Sequence, residues 1–428
     1  MFGWEFPPNI TGGLAIACYG IIKSLAKHGI DVIFVVPRLI GGEDNKIAHL
    51  ISASEIEFDE RYYDYFKDYY EKIKCYAIDS PILPYVTPEE FEKIFKQKIK
   101  ELNILPIEKV TKQKYYFSGK YGPNLIEEVA RYSLIASKIA KENPHDIIHC
   151  HDWLTYPAGI AAKKISNNPL VIHVHATEFD RCGENINTYV YNIEKLGMEA
   201  ADKIITVSNH TKNIVIQKYG INPDKVITIY NAIDPYDIEK VKQKKGFSEK
   251  LITFLGRITF QKGPEYFVEA AHKLYKKEKN VRFVMAGSGD MLEKMIRLVA
   301  YYNMGHKFHF TGFLMGEDVY RLFSMSDVYV MPSVSEPFGI SPLEAMISNV
   351  PVIISKQSGV SEILTYAIKV DFWDTDALAD AMHALIKYKG IREMFIKYGK
   401  EEVINLKWDN NAKKIINEVY IPLIFKRN

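Results

Sequence analysis

The chain has 428 residues, of which 47% are hydrophobic, and this is enough apolar surface to bury the cores of two or three domains. Its 55 basic and 53 acidic residues leave a formal net charge of only +2, which argues against a general electrostatic surface for nucleic acid. The four cysteines form no C-x-x-C pair, no stretch approaches the roughly 20 apolar residues that span a bilayer, and no signal peptide is visible, so we expect a cytoplasmic protein without disulfides, structural zinc or a transmembrane segment.

Helical segments alternate with short β-rich runs along the chain, a pattern that predicts parallel sheets with helices on both faces. In the first half, Gly12 and Gly13 open an amphipathic helix, which ends at Gly29. Because so few residues precede this helix, we expect that part of the first strand is missing and that the chain begins at an internal methionine. Strands are predicted at residues 31–36, 146–149, 170–175, 203–207 and 225–230.

The second half begins after a lysine-rich, poorly apolar stretch that follows Asp234 and is typical of a domain linker. Its first strand begins at Leu251 and ends at Gly256. A last helix is predicted over residues 408–420. The further strands are predicted at residues 281–286, 307–311, 327–331, 351–355 and 367–370.

Residues 333–345, between a predicted strand and a predicted helix, are the most informative stretch. They place Glu336 and Glu344 around a turn that contains Gly339. Unpaired amides near Gly339 and Ile340 can face a phosphate, and the two carboxylates can accept hydrogen bonds from sugar hydroxyls. The alternative is structural: the S-P-L-E run that ends at Glu344 has the pattern of a capping box, and Glu336 is then a surface acid near a helix start.

A basic pair, Arg257 and Lys262, lies upstream in the loop that precedes a helix starting near Pro264. Open α/β sheets bind ligands at the carboxyl ends of their strands, so the two cations lie where a diphosphate would sit. Cations fixed there hold the diphosphate and later stabilise it as a leaving group. Solvated loop cations are the alternative, but the basic pair and the two glutamates follow equivalent strands of one α/β half, and together they favour a site.

These residues also carry a resemblance to a known family. Arg257 and Lys262 match an R-x4-K pair, and Glu336 with Glu344 matches an E-x7-E motif, of retaining glycosyltransferases with two Rossmann-like domains. This is the GT-B group that contains the glycogen and starch synthases and glycosyltransferase family 4. The resemblance covers nearly the whole chain: residues 11–14 are similar to the N-terminal glycine loop, 149–153 to an H-x-H-D-W motif, 174–176 to the segment of the active-site histidine, and 230–234 to the end of the first domain.

The resemblance implies an α/β fold of two Rossmann-like parallel-sheet domains that face each other across a cleft. Residues 1–235 are then the acceptor-side domain, with an insert near 44–125, and residues 251–405 the nucleotide-sugar domain. The linker is 236–250, and residues 406–428 form a helix that returns to the first domain. Closure of the cleft is expected to matter, because both domains contribute to the site.

The activity implied by the resemblance is retaining transfer of a hexosyl unit, with glucose as the leading choice, from a nucleotide diphosphate sugar to a carbohydrate acceptor. An α-glucan is the leading acceptor, because the glycine loop and the H-x-H-D-W motif occur together. The runner-up is a transferase for a cell-envelope glycan, a lipid-linked sugar or a small glycoside. A sugar-nucleotide epimerase and a non-catalytic binding module are more remote. No cofactor and no metal are expected, and no nucleic acid partner.

The resemblance also assigns roles to the site residues. Arg257 and Lys262 neutralise the diphosphate, Glu336 binds sugar hydroxyls, Glu344 binds the ribose, and His175 faces the donor sugar, although a structural histidine is an equal alternative. Asp152 either orients sugar or acceptor or caps the helix after Trp153. The candidate catalytic residues are His175, Arg257, Lys262 and Glu336; the candidate donor-binding residues are Gly12, Gly13, Phe338, Gly339, Ile340 and Glu344.

Two other segments allow two interpretations. The tyrosine-rich stretch 60–76 is predicted as an amphipathic helix packed on its own domain, with an acceptor or partner surface as the alternative. The single Asp-x-Asp considered as a metal site, at residues 374–376, is predicted to be a helix cap.

Overall fold

The structure, a computed structural model, describes residues 1–8, 12–58, 113–119, 121–122, 124–234, 236, 238–241, 243 and 245–426. The tyrosine-rich stretch 60–76 lies outside this part of the chain. Among the described helices, none is both long and apolar enough to cross a membrane.

The first half contains a parallel sheet whose central position is held by the start of the chain. Phe2 bridges Val35 on one side and Cys150 on the other. The Phe2 amide donates to the His149 carbonyl oxygen at 2.8 Å, and the His151 amide donates to the Phe2 carbonyl oxygen at 3.1 Å. The strands are β1 (Ile33–Val36), β2 (His49–Ser52), β3 (Glu57–Phe58), β4 (Gln113–Lys114), β5 (Ile148–His151), β6 (Leu170–Val174), β7 (Lys203–Thr206) and β8 (Val226–Thr228).

The order across this sheet is β2, β1, residues 1–3, β5, β6, β7, β8, and every neighbouring pair is parallel. The strand order therefore reverses between residues 1–3 and β5. The strand β2 lies inside the range 44–125 that we predicted as an insert, so the sheet continues into that range. The pair β3 and β4 is antiparallel and separate from the sheet.

The second half contains a six-stranded sheet in the order β11-β10-β9-β12-β13-β14, again all parallel. This is the strand order of a Rossmann fold, and it reverses between β9 and β12. The predicted strand ends of this half differ from the observed ones by at most one residue, and the α/β class is confirmed. The strands are β9 (Lys250–Leu255), β10 (Val281–Ala286), β11 (Phe308–Gly312), β12 (Val328–Met331), β13 (Val352–Ser355) and β14 (Ile368–Val370).

Helices cover both faces of each sheet, as the alternating sequence pattern predicts. Asp374 caps one of them by accepting a hydrogen bond from the Ala377 amide at 2.9 Å, as predicted. The π-helix Ile415–Tyr420 joins the last two α-helices. The α-helices are Gly13–Lys27, Leu125–Glu142, Tyr156–Ser166, Glu178–Cys182, Thr188–Ala200, Asn209–Tyr219, Pro264–Lys277, Leu292–Tyr301, Glu317–Met325, Ser341–Ile347, Thr375–Lys387, Lys389–Ile404, Trp408–Lys414 and Ile421–Phe425.

The C-terminal segment returns to the first half, as predicted. Trp408, Ile415 and Val419 are buried in one apolar cluster with the helix Gly13–Lys27. The indole of Trp408 lies against Gly20, so closely that a Cβ at this glycine would overlap the ring. Gly20 therefore allows the two helices to approach, and the C-terminal segment becomes part of the first core.

We predict that Gly20→Ala lowers the denaturant midpoint of unfolding. The added methyl group has to displace the Trp408 ring, and overpacking of this kind costs about 1–3 kcal/mol, more than the roughly 1 kcal/mol of helix propensity gained. Gly390→Ala is the matched control, because nothing lies within 4 Å of its added Cβ and it also occupies a helix. Equal stability of Gly20→Ala and wild type in urea unfolding would contradict this packing.

Candidate active site

The loops after β9 and β12 lie side by side, because these strands are neighbours in the sheet. Gly263 has a φ of +62°, and a Cβ at this position would overlap the carbonyl oxygen of Pro332. Only glycine permits this approach of the two backbones. The Val334 amide also donates to the Gln261 carbonyl oxygen at 2.9 Å. The R-x4-K loop is thus fixed directly against the loop that contains Glu336.

Lys262 and Glu336 form an ion pair between these loops, in which Lys262 Nζ donates to Glu336 Oε2. Ser333 Oγ donates to the same carboxylate oxygen at 3.2 Å. Glu336 is only 6% exposed, so its charge is held by these two donors. Arg257 Nη2 donates to Gln261 Oε1 at 3.1 Å within the same loop. The structure therefore brings three of the four predicted catalytic residues together.

The turn at Gly339 lies against this ion pair. Its φ of +105° favours glycine, and a Cβ would lie 3.3 Å from Glu336 Cγ. No described residue accepts a hydrogen bond from the amides of Gly339 and Ile340, so both are available to an anion. Phe338 is a predicted donor-binding residue, but its side chain is buried in the second core and packs near the ring of Tyr230, so its ring does not face a ligand.

Gly12 and Gly13 lie across from this turn, at the start of the helix Gly13–Lys27. A Cβ at Gly13 would lie 3.7 Å from the Cδ1 atom of Ile340, so the two halves of the chain meet here. Gly12 is the N-cap of the helix and has no side chain to satisfy the first amides. The predicted glycine loop and the Gly339 turn therefore lie on opposite sides of one cleft.

The capping-box interpretation of Glu344 is wrong. The helix begins at Ser341, its N-cap is Ile340, and there is no side-chain cap. The Ser341 hydroxyl is engaged with the Tyr329 hydroxyl at 2.8 Å and does not reach the first-turn amides. Glu344 is half-buried, no described residue hydrogen-bonds to its carboxylate, and burial raises its pKa to about 7.

The helix-cap interpretation of Asp152 is wrong as well. The following helix, Tyr156–Ser166, has Thr155 as its N-cap and no side-chain cap. Instead, Asp152 has a φ of +61°, and its Oδ1 accepts hydrogen bonds from the amides of His175 at 2.7 Å and Ala176 at 3.3 Å. Asp152 therefore fixes the backbone immediately after β6, and burial raises its pKa to about 6.

His175 follows β6 directly, at the edge of the sheet that faces the cleft. Its Nε2 lies 3.0 Å from Nδ1 of His151, the second histidine of the H-x-H-D-W motif. Burial lowers the pKa of His175 to about 3, so the imidazole is neutral near pH 7. A neutral ring offers one donor and one acceptor, and one of its nitrogens is already engaged by His151.

Sequence reasoning missed a set of polar contacts that join the two halves. Ser335 Oγ donates to Asp180 Oδ1 at 2.6 Å and also lies 3.2 Å from His210 Nε2. Ser335 precedes Glu336, and Asp180 lies in the short helix that follows His175. The only sequence signal was the position of these residues beside predicted site residues.

Glu362 forms a second missed contact. Its carboxylate accepts hydrogen bonds from the amides of Asn209 at 2.9 Å and His210 at 2.6 Å, and from the Tyr230 hydroxyl at 2.9 Å. These amides begin the helix Asn209–Tyr219 of the first half, whereas Glu362 follows β13 of the second half. The acid therefore caps a helix that belongs to the opposite side of the cleft.

Comparisons with known proteins agree with this geometry. Residues 1–228 match the starch synthase catalytic domain, and residues 237–402 match the glycosyl transferases group 1. An uncharacterized glycosyltransferase of Methanocaldococcus jannaschii is 30% identical over 444 residues, which cover 99% of this chain and 98% of that protein. The chain therefore belongs to the glycosyltransferases of the group 1 and starch synthase type.

Solved structures show the same two-domain GT-B fold. Sucrose-phosphate synthase from Thermosynechococcus elongatus is similar with a TM-score of 0.69 and 19% identity, covering 97% of this chain and 94% of that chain. A crystal structure of Anabaena HepE in complex with UDP-glucose is similar with a TM-score of 0.62 and 15% identity, covering 98% of both chains. At these identities, the likeness establishes the fold.

We predict that Glu344→Gln stabilises the protein more at pH 8 than at pH 5. An acid whose folded pKa of about 7 exceeds the ordinary 4.5 stabilises the fold fully below about pH 4.5 and loses this contribution as the pH rises to about 7. The amide is free of this loss, and we expect a difference on the order of 1–2 kcal/mol after discounting for partial exposure.

Urea unfolding of both proteins at the two pH values measures this difference. Glu393→Gln is the control, because that side chain is 61% exposed on the helix Lys389–Ile404 and should give the same change at both pH values. A Glu344→Gln difference that does not depend on pH would show that the carboxyl group is not held in a desolvated position.

Proposed function

We propose that the protein transfers a hexosyl unit, with glucose as the leading choice, from a nucleotide diphosphate sugar to a hydroxyl of an α-glucan, with retention of configuration. The observation that carries the proposal is the Lys262–Glu336 ion pair at the point where the second sheet reverses its strand order. Cations, free amides and carboxylates converge there, and a sugar nucleotide carries the matching groups: a diphosphate and several hydroxyls.

The diphosphate of the donor is held by Arg257 and Lys262, together with the amides of Gly339 and Ile340. In the absence of donor, Lys262 is paired with Glu336, so an arriving diphosphate shares the ammonium group with the carboxylate. Charge that develops on the leaving diphosphate is neutralised by groups already in place. The reaction then needs no divalent metal, because these cations take its role.

The sugar lies between Glu336 and His175. Glu336 accepts hydrogen bonds from sugar hydroxyls through the oxygen that Lys262 and Ser333 leave open. His175 contacts the sugar from the first half through Nδ1, since Nε2 is engaged by His151. Glu344, whose carboxylate has no hydrogen-bond donor among the described residues, binds the ribose hydroxyls. Asp152 acts through the backbone and holds His175 in place.

Retention follows from attack on the same face of the sugar that the diphosphate leaves. The bond from the anomeric carbon to the phosphate oxygen breaks, the bond to the acceptor oxygen forms, and the acceptor proton passes to the departing phosphate. A covalent intermediate on Glu336 is the alternative. The ion pair to Lys262 disfavours it, because a carboxylate that neutralises an ammonium group is a weaker nucleophile.

The match to a starch synthase catalytic domain over residues 1–228 supports an α-glucan acceptor, since this half forms the acceptor side of the cleft. The complex of HepE with UDP-glucose supports a nucleotide sugar as the donor class. The similarity to sucrose-phosphate synthase keeps the runner-up open: a transferase for a small glycoside, a lipid-linked sugar or a cell-envelope glycan. The free, reduced cysteines 18, 150 and 182 support a cytoplasmic location.

A donor screen tests the proposed activity. The purified chain is incubated with UDP-glucose, ADP-glucose, GDP-mannose or UDP-N-acetylglucosamine, with and without glycogen, and with and without EDTA. We expect release of nucleoside diphosphate that depends on glycogen and persists in EDTA, and an α-linked product by proton NMR. Release without glycogen dependence would favour the runner-up. Loss of activity in EDTA would contradict the metal-free mechanism, and a β-linked product or a trapped glycosyl-enzyme adduct would contradict same-face transfer.

We predict that Lys262→Met lowers kcat by about 10²–10³, the usual effect of removing one group that stabilises a developing negative charge. Methionine keeps most of the length of the side chain while it removes the ammonium group. Lys273→Ala is the control, because Lys273 pairs with Asp376 at 2.8 Å on the outer surface of the same half and should leave kcat unchanged. Activity of Lys262→Met equal to that of wild type, with the fold intact by circular dichroism, would remove Lys262 from the mechanism.

A further inference from the structure

Four histidines form a buried layer beneath the cleft of the first half. His149 and His151 belong to β5, and His173 lies in β6 directly opposite His151, with His175 two residues further along. Side chains two residues apart point to the same face of a strand, so all four rings lie on one side of the sheet. The rings stack in two pairs, His149 on His151 with centroids 4.6 Å apart and His173 on His175 at 4.3 Å.

Packing alone does not account for this layer. Nε2 of His151 and Nε2 of His173 are buried, and no described residue forms a hydrogen bond with either. A buried polar atom without a partner costs about 1–3 kcal/mol, whereas aliphatic side chains at these positions would carry no such cost. The first half therefore holds nitrogen atoms that the surrounding protein leaves unsatisfied.

Cys18 completes a possible set of ligands. It lies in the helix Gly13–Lys27 that packs on the same face of the sheet, and its thiol is buried and free. The sulfur of Cys18, one ring nitrogen of His151 and one of His175 all lie within 4.8 Å of one another. Two imidazoles and one thiol, without a carboxylate in the set, suit zinc-like transition metals and are poor ligands for magnesium or calcium.

We propose that Cys18, His151 and His175 form a binding site for a transition-metal ion such as Zn²⁺, at the floor of the cleft. The ring nitrogens of His151 and His175 are 3.0 Å apart, close to the edge of about 3.3 Å in a tetrahedron with Zn–N bonds of about 2.0–2.1 Å. Small rotations of the two rings and of the thiol would bring all three ligands to a common centre. On binding, the hydrated ion loses three waters, the thiol gives its proton to the solvent, and one water remains as the fourth ligand.

Access to the cleft favours this set over a second one. His149, His151 and His173 also lie close enough to hold an ion, but all three are fully buried. Both nitrogens of His149 are already engaged, Nδ1 by the Tyr420 hydroxyl at 2.6 Å and Nε2 by His173 at 3.3 Å. His175, in contrast, is partly exposed at the edge of the sheet, so an ion can reach the first set from the cleft.

A consequence follows that rests on the proposed function. An ion coordinated by His175 breaks the hydrogen bond from His151 that holds the ring, and it adds positive charge on the sugar side of the cleft. We therefore expect Zn²⁺ to inhibit hexosyl transfer in the wild-type protein, and to do so at least about tenfold less effectively in Cys18→Ser, because loss of even an outer-shell partner weakens metal binding by about 10–100-fold.

Cobalt binding tests the site without any activity measurement. The full chain is stripped of metal with a chelator and titrated with Co²⁺, and the thiolate-to-cobalt charge-transfer absorption is recorded. We expect saturation at one Co²⁺ per chain, displacement by Zn²⁺, and loss of the absorption in Cys18→Ser. Cys182→Ser and Cys75→Ser are the matched controls and should bind like the wild type.

Two results would overturn the proposal: absence of saturable binding to the wild type, or an unchanged spectrum in Cys18→Ser combined with its loss in His149→Gln, which would place the ion in the deeper set. If Cys18→Ser does not fold, X-ray absorption of the Zn²⁺-loaded wild type decides, because the site requires one sulfur at about 2.3 Å and nitrogens at about 2.0–2.1 Å. A chain that binds Co²⁺ but transfers no sugar would retain the metal site and refute the proposed function.

Discussion

The parallel order of the two sheets is the constraint on which the rest of this structure depends. Parallel strands all point their carboxyl ends to one edge, and the order reverses between β9 and β12 in one half and between residues 1–3 and β5 in the other. At a reversal the connecting helices leave on opposite faces, so a crevice remains between the loops. Both crevices open into the cleft, which is why residues as distant in sequence as Gly13 and Ile340 meet there.

Within the cleft, the ion pair of Lys262 and Glu336 links positioning to reactivity. A buried charge without a partner is strongly unfavourable, typically by 3–5 kcal/mol, so each residue holds the other in place before any ligand arrives. A diphosphate offers the ammonium group a second anion, and Glu336 is then freer to accept hydrogen bonds from sugar hydroxyls. The same contact thus supplies order in the empty site and an exchangeable partner in the filled one.

Much of the fold was readable from the sequence because strands and helices follow local patterns. The strand ends of the second half, the cap at Asp374 and the return of Trp408 to the first half all depend on nearby residues or on a strong apolar period. The errors have another origin. The S-P-L-E run and Asp152 both matched local capping patterns, but Tyr329 and the amide of His175 compete for these side chains, and they come from distant strands. The contacts of Glu362 were unpredictable for the same reason.

The contacts between the halves are few and mostly polar, and this bears on how the cleft works. Glu362 caps the helix Asn209–Tyr219, and Ser335 joins Asp180, but each such hydrogen bond contributes only about 0.5–1.5 kcal/mol, or up to about 3 when a charged group takes part. Water can replace these partners when the halves separate, so separation costs little. A donor bound by Lys262 on one side and His175 on the other adds contacts that exist only in the closed arrangement. Its binding energy therefore favours closure, and the bonds that open the cleft are those that surround the reacting sugar.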